Sequence, residues 1–202
     1  HKIKQQGAHW RRAIEVLSEM QGRDVVPDVI LYNALISACG KGQQWLHALA
    51  LLEEIERGGT APNKISYSAA ISACEKAQQW LRALVVFDAM QRHGIVADTI
   101  TYNALISSCE KVQQWPLALG LLEEMQERGI VPNSNTYRTT IRACGKGHQW
   151  SRAFGLLEDM PKRGIAPDSI TYNTLISACE KGQHWSRALG VLKEMRMRGI
   201  TP

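Results

Sequence analysis

Apolar residues recur along the chain at two alternating helical spacings. Between Val29 and Asn63, Tyr32, Leu35, Ile36 and Cys39 fall at i, i+3, i+4 and i+7, one face of a helix. Lys41, Gly42 and Gln43 interrupt that pattern, and Trp45, Ala48, Leu49, Leu52 and Ile55 then resume it. Arg57, Gly58 and Gly59 supply the cation and glycine that helix C-termini favour, and Pro62 stands where no helix continues. Asn63 is a good N-cap for whatever follows. The stretch therefore predicts a helix–turn–helix pair, helix A then helix B, neither of which buries its apolar stripe alone.

The same unit recurs along the whole chain. Trp10, Trp45, Trp80, Trp115, Trp150 and Trp185 are spaced 35 residues apart. The five tyrosines (Tyr32, Tyr67, Tyr102, Tyr137, Tyr172) and five cysteines (Cys39, Cys74, Cys109, Cys144, Cys179) keep the same beat. A fixed period of this length signals stacked repeats. The expected organisation is one array over residues 1–202: a truncated, degenerate unit 1–28, full units 29–63, 64–98, 99–133 and 134–168, and a unit 169–202 lacking its last residue. The predicted fold is all-α, a right-handed α-α superhelix (α-solenoid) of stacked helix-turn-helix repeats. Each tryptophan heads the stripe of helix B and reads as core. The cysteines read as small buried thiols in a reducing compartment, since nothing resembles a CxxC or zinc spacing. Pro116 falls in the first turn of a helix B, where its missing N–H costs little, and Pro161 in the last turn of another.

A second regularity lies on helix A, outside the core. Residues at i, i+4 and i+8 share a face: Asn33, Ser37, Lys41; Ser68, Ser72, Lys76; Asn103, Ser107, Lys111; Arg138, Arg142, Lys146; and Asn173, Ser177, Lys181. Stacking turns these into a row of small polar groups, a row rich in serine and a row of lysines. Faithful duplication alone copies such residues, yet a merely solvated face has no need of recurring short ones. Lysines beside hydrogen-bonding side chains suit a single-stranded polyanion, with phosphates on the cations and base edges on the amides and hydroxyls.

Composition adds less. The chain of 202 residues is 45% hydrophobic and 21% charged, an ordinary globular balance without an apolar run long enough for a membrane span. The net charge is only +5, and its distribution is uneven. Units 134–168 and 169–202 are basic, units 29–63 and 99–133 acidic, and the acids gather on helix B. The six histidines share no consistent pairing with carboxylates, serines or cysteines, so no catalytic constellation, metal site, cofactor or small-molecule substrate is expected.

The segments Thr101-Tyr102-Asn103-Ala104-Leu105-Ile106, Leu121-Leu122-Glu123-Glu124-Met125 and Arg128-Gly129-Ile130-Val131-Pro132-Asn133 closely resemble the pentatricopeptide repeat, and the likeness covers essentially the whole chain. That resemblance implies sequence-specific binding of single-stranded RNA in an organelle, mitochondrion or chloroplast. Each repeat takes one base, in the service of RNA processing, stability or translation. It implies base-reading pairs at Asn33 with Asn63, Ser68 with Asp98, Asn103 with Asn133 and Arg138 with Asp168, with Asn173 lacking its partner. By the same resemblance Ile30, Ile65, Ile100 and Ile170 wedge against bases, and Lys41, Lys76, Lys111, Lys146 and Lys181 contact phosphate. The implied element is pyrimidine–G–pyrimidine–any–pyrimidine, running 5′ to 3′ with the chain.

Two features stand beside that reading. Asp28, Asn63, Asp98, Asn133 and Asp168 are all good helix N-caps, and capping by itself accounts for each. Unit 134–168 departs from the pattern: Asn135 replaces the apolar wedge, and Arg138, Arg142 and Lys146 form a basic stripe suited to phosphate or an acidic partner. The alternative function is a structural protein–protein scaffold within a larger organellar assembly, since solenoid surfaces take protein subunits as readily as RNA.

Overall fold

The computed structural model describes residues 2–23, 27–181 and 184–201, with the side chains of 2–9, 13, 21 and 181 left aside. Among the described residues the regular elements are helices only, eleven in number. They are α1 (Lys2–Gln21), α2 (Val29–Lys41), α3 (Trp45–Arg57), α4 (Lys64–Lys76), α5 (Trp80–Arg92) and α6 (Thr99–Lys111). There follow α7 (Trp115–Glu127), α8 (Ser134–Lys146), α9 (Trp150–Lys162), α10 (Ser169–Lys181) and α11 (Trp185–Met197). Every full unit is thus two helices of 13 residues, A and B. The chain divides into two compact units, His1–Ser108 and Cys109–Pro202.

Within the first, α2 packs on α3 and on the next helix A, α4, which packs on α5. Within the second, α8 packs on α9 and α10, and α10 on α11. In each, helices A therefore lie side by side, each backed by its own helix B. The core follows the sequence stripe: Tyr67, Tyr102, Tyr137, Tyr172, Ile36, Ile71, Ile106 and Ile141 are fully buried. All five cysteines are free and buried, and burial pushes the thiols of Cys74, Cys109 and Cys144 up to about 11.

A buried tyrosine needs a partner for its hydroxyl, and helix B supplies a carboxylate. Tyr32 donates to Glu54 at 3.1 Å, Tyr137 to Asp159 at 2.6 Å and Tyr172 to Glu194 at 3.3 Å. In unit 64–98 the matching position is Ala89, and Tyr67 turns instead to Glu56 and His93 Nδ1, each at 2.8 Å. Part of helix B's acidity is therefore engaged inside the repeat.

Both helix ends close alike. After helix B the glycines Gly59, Gly94, Gly129, Gly164 and Gly199 adopt φ of 69° to 74°. From Gly94 on, the N–H of the following isoleucine reaches back into the last turn, as in Ile95 to the Met90 carbonyl at 3.1 Å, a Schellman motif. After helix A the same left-handed position is held by Gln43, Gln78, Gln113 and His148, with φ of 57° to 61°.

The tryptophans differ from the uniform core expected of them. Trp150 is buried at 8% exposure, its ring edge-on to those of His148 and His184. Trp45, Trp80 and Trp115 are half-buried, and Trp185 is 73% exposed. Part of the covering comes from the following unit, and Trp150 has in addition the His148 ring where the other full units carry glutamine. Trp10 lies against Gly42 and the His47 ring, and Trp115 against Gly147 and the Arg152 guanidinium.

Candidate functional site

The site is built where successive helices A begin. Asp28 accepts from the Leu31 N–H at 2.8 Å; Asn63 accepts from those of Ile65 and Ser66; Asn133 accepts from Thr136. Asp98 and Asp168 accept from the N–H groups of Thr101 and Thr171 at 3.0 and 2.8 Å. All five are N-caps in fact, and α4 and α8 carry full capping boxes through Ser66 and Thr136.

Two of the caps also meet the second member of their implied pair, one directly and one through a third side chain. Asn33 lies 30 residues before Asn63, and its Nδ2 donates to Asn63 Oδ1 at 3.3 Å. Ser68 reaches Asp98 through a third side chain: its Oγ lies 2.6 Å from Thr101 Oγ1, which donates to Asp98 Oδ1 at 2.9 Å. Burial raises the Asp98 pKa, but the two hydrogen bonds from Thr101 and the nearby Lys64, 3.7 Å away, outweigh it and hold the carboxyl below its ordinary value. At Asp168 the hydroxyl of Thr171 is the main cause of a lowered pKa, with burial opposing it and the Arg138 charge assisting. Asn103 and Asn133 fall in different compact units and are described with their own helices, Asn103 half-buried on α6 and Asn133 capping α8. Asn173 is exposed on α10.

Between α2, α4 and the start of α6 these groups line a groove of about 340 Å³. Its walls include Ser68, Asp98, Ile65, Ile100, Ser72, Lys41 and Lys76. The isoleucines stand in water: Ile30, Ile65, Ile100 and Ile170 are 73%, 59%, 67% and 53% exposed. Four bulky apolar side chains exposed at one repeat position are unexplained by folding. A second groove of about 350 Å³ in the other unit is lined by Arg142, Lys146, Ile170, Asn173, Thr174 and Ser177.

The lysine row is not uniform. Lys41, Lys76 and Lys111 are exposed at the ends of their helices. Lys146 pairs with the buried Glu110 at 2.8 Å, and Arg142 joins the same carboxylate at 3.4 Å. Arg138 donates to Asn135 at 2.8 Å. The basic stripe of unit 134–168 is therefore largely engaged within the protein. Lys181 lies outside the described side chains. Among the described residues no group of three or more His, Cys, Asp or Glu side chains is placed to hold a metal ion, and no helix is long and apolar enough to cross a membrane.

Sequence reasoning passed over Ser66, Thr101, Thr136 and Thr171, the hydroxyls beside the caps. The available signal is plain: the residue before the tyrosine is Ser or Thr in four of the five units, and Leu31 in the other. It also passed over Glu110, whose role rests on burial.

Repeated helix pairs whose first helices present caps, exposed isoleucines and a polar groove define a helical repeat array with a candidate binding face. Family models described as "PPR repeat family" match residues 27–76, 97–146 and 139–181, and a "PPR repeat" model matches 65–95 and 170–200. The chain belongs to the pentatricopeptide repeat family. No curated protein matches it. Among solved structures it is similar to the pentatricopeptide repeat protein PPR10 from maize, at 28% identity and a TM-score of 0.76, over 96% of this chain and 28% of that one. PPR10 in complex with an 18-nt psaJ RNA element matches at 27% identity and a TM-score of 0.60, over 96% of this chain and 32% of that one. The PPR domain of Arabidopsis thaliana protein-only RNase P 1, in complex with tRNA, shares the fold at 17% identity and a TM-score of 0.71, over 83% of this chain and 88% of that domain. The all-α repeat fold expected from the periodicity is the fold of these structures. The chain spans less than a third of the length of PPR10.

Proposed function

We propose that this chain binds single-stranded RNA along its helices A, one base to a repeat. The observation that carries the reading is the groove of unit 64–98. It combines two exposed isoleucines able to sandwich a flat base, the hydrogen-bonding groups Ser68 and Asp98, and exposed Lys76 for phosphate. Capping and reading then fall to the same side chains, and the cap fixes the geometry the reader needs. The likeness to PPR10, solved with an RNA element, supports the ligand class. Unit 134–168, with Asn135 for isoleucine and its cations paired, contributes spacing rather than selectivity. In an organelle such a segment serves RNA processing, stability or translation by occupying a sequence.

The test is fluorescence-anisotropy binding to a single-stranded RNA carrying C-G-C-N-U and to one with purines and pyrimidines exchanged, across a salt series. Preference for the first is expected, with log K falling by about 0.7 per phosphate contact for each decade of salt. Equal, feeble binding to both would remove the base-reading claim and favour a protein-scaffold role.

A further inference from the structure

Within the pair Ser68–Asp98, the atoms left to meet a base are decided by Thr101. An ionised carboxylate only accepts, so the single hydroxyl proton of Thr101 goes to Asp98 Oδ1, 2.9 Å away. Thr101 Oγ1 is then an acceptor towards Ser68, and at 2.6 Å the Ser68 hydroxyl donates to it. With its proton committed, Ser68 Oγ presents lone pairs only. Asp98 Oδ2, which Lys64 Nζ approaches at 3.7 Å, is likewise an acceptor. A site of acceptors suits a base edge of N–H donors.

At the preceding pair the corresponding hydroxyl has the opposite sense. Asn63 Oδ1 must accept, because it takes the backbone N–H groups of Ile65 and Ser66 at 3.0 and 3.1 Å. The Asn33 amide therefore faces it with Nδ2, and its Oδ1 faces Ser66, whose one hydroxyl proton goes to it at 2.6 Å in preference to Asn63 Oδ1 at 3.2 Å. Asn63 Oδ1 is thereby filled and one of the two lone pairs of Asn33 Oδ1 is taken, so amide N–H makes up most of what remains to a ligand. Ser66 and Thr101 are each fully buried, out of a ligand's reach.

We propose that the hydroxyl immediately before the repeat's tyrosine, Ser66 and Thr101 here, is a positioning residue that sets whether the preceding repeat's reader offers donors or acceptors. The base contacted through Asn33 is then matched by its own acceptors and the base contacted through Ser68 by its donors, guanine among the purines. This rests on the base-reading function proposed above and adds to it a residue that never meets the RNA.

The experiment uses the whole chain with RNAs differing only at the first or second base of C-G-C-N-U. Thr101→Val keeps the shape and removes the hydroxyl; Thr101→Ser restores it; Ser66→Ala removes the other. Thermal melting by circular dichroism reports folding of each. Thr101→Val is expected to lose about tenfold in G-over-A preference at the second base, the usual scale for one buried polar partner, while discrimination at the first base is kept. Thr101→Ser should recover it, and Ser66→Ala should lose preference at the first base alone. If wild-type chain discriminates but neither Thr101→Val nor Ser66→Ala changes the preference, or both weaken all RNAs equally, these hydroxyls are helix caps only and the proposal is overturned. Absence of any preference in the wild type would instead overturn the base-reading function on which it stands. Should Thr101→Val fail to fold, Ser66→Ala at the first base decides alone.

Discussion

Gln78 sits at φ 58°, a left-handed conformation that a side chain adopts at a cost. Gln43, Gln113 and His148 do the same, while the five matching turns described after helix B use glycine. Gln78→Gly is therefore expected to raise stability by about 0.5–1 kcal/mol, read as an increase in the urea midpoint; a decrease would mean that the side chain makes a contact worth more than the strain. The capping carboxylates carry a second residue-scale consequence. Asp168 has a lowered folded pKa, chiefly through the Thr171 hydroxyl. Its contribution is thus present above the ordinary Asp value, near about pH 3.9, and is lost as pH falls through the folded value. The stability gap between wild type and Asp168→Asn should be widest above the ordinary Asp value of about 3.9 and narrow as pH falls below it. A gap independent of pH would show that the cap is indifferent to charge.

At the scale of the helix, each element has a well-marked start and stop, and the packing between elements selects which small residues are needed. Gly147 has an ordinary φ of −86°, but a Cβ there would collide with the Trp115 indole. Gly120, inside α7, faces open space. Gly147→Ala should destabilise by about 1–3 kcal/mol through the displaced indole, and Gly120→Ala should stabilise by about 0.8–1 kcal/mol through helix propensity. Equal effects in chemical denaturation would contradict these helix contacts. The helices themselves were legible in the sequence because period, cap and breaker agree: Asn63 begins α4, Trp80 begins α5, and Gly94-Ile95 closes it. Groups joined across sequence were not legible. The Ser68–Thr101–Asp98 chain spans 33 residues, Arg142 and Lys146 find Glu110 in the preceding repeat, and the exposure of Trp185 against the burial of Trp150 depends on neighbours. The implied readers lay at legible positions; what fixes their polarity did not.

At the scale of the molecule, duplication turns a local feature into a surface. One cap is an ordinary helix start, but repeated every 35 residues, with an exposed isoleucine two residues on in all but one unit, it makes a series of similar sites that differ in one or two side chains. Under the proposed function, selectivity resides in those differences rather than in the fold. The most direct test of that claim is to exchange one site for another. Ser68→Asn together with Asp98→Asn recreates in unit 64–98 the polar pair of unit 29–63. The doubly substituted chain should prefer a pyrimidine to guanine at the second base of C-G-C-N-U in anisotropy titrations, with its preferences at the other bases unchanged. Retention of the wild-type preference at that base, or its loss at every base together, would contradict the assignment of one base to one repeat.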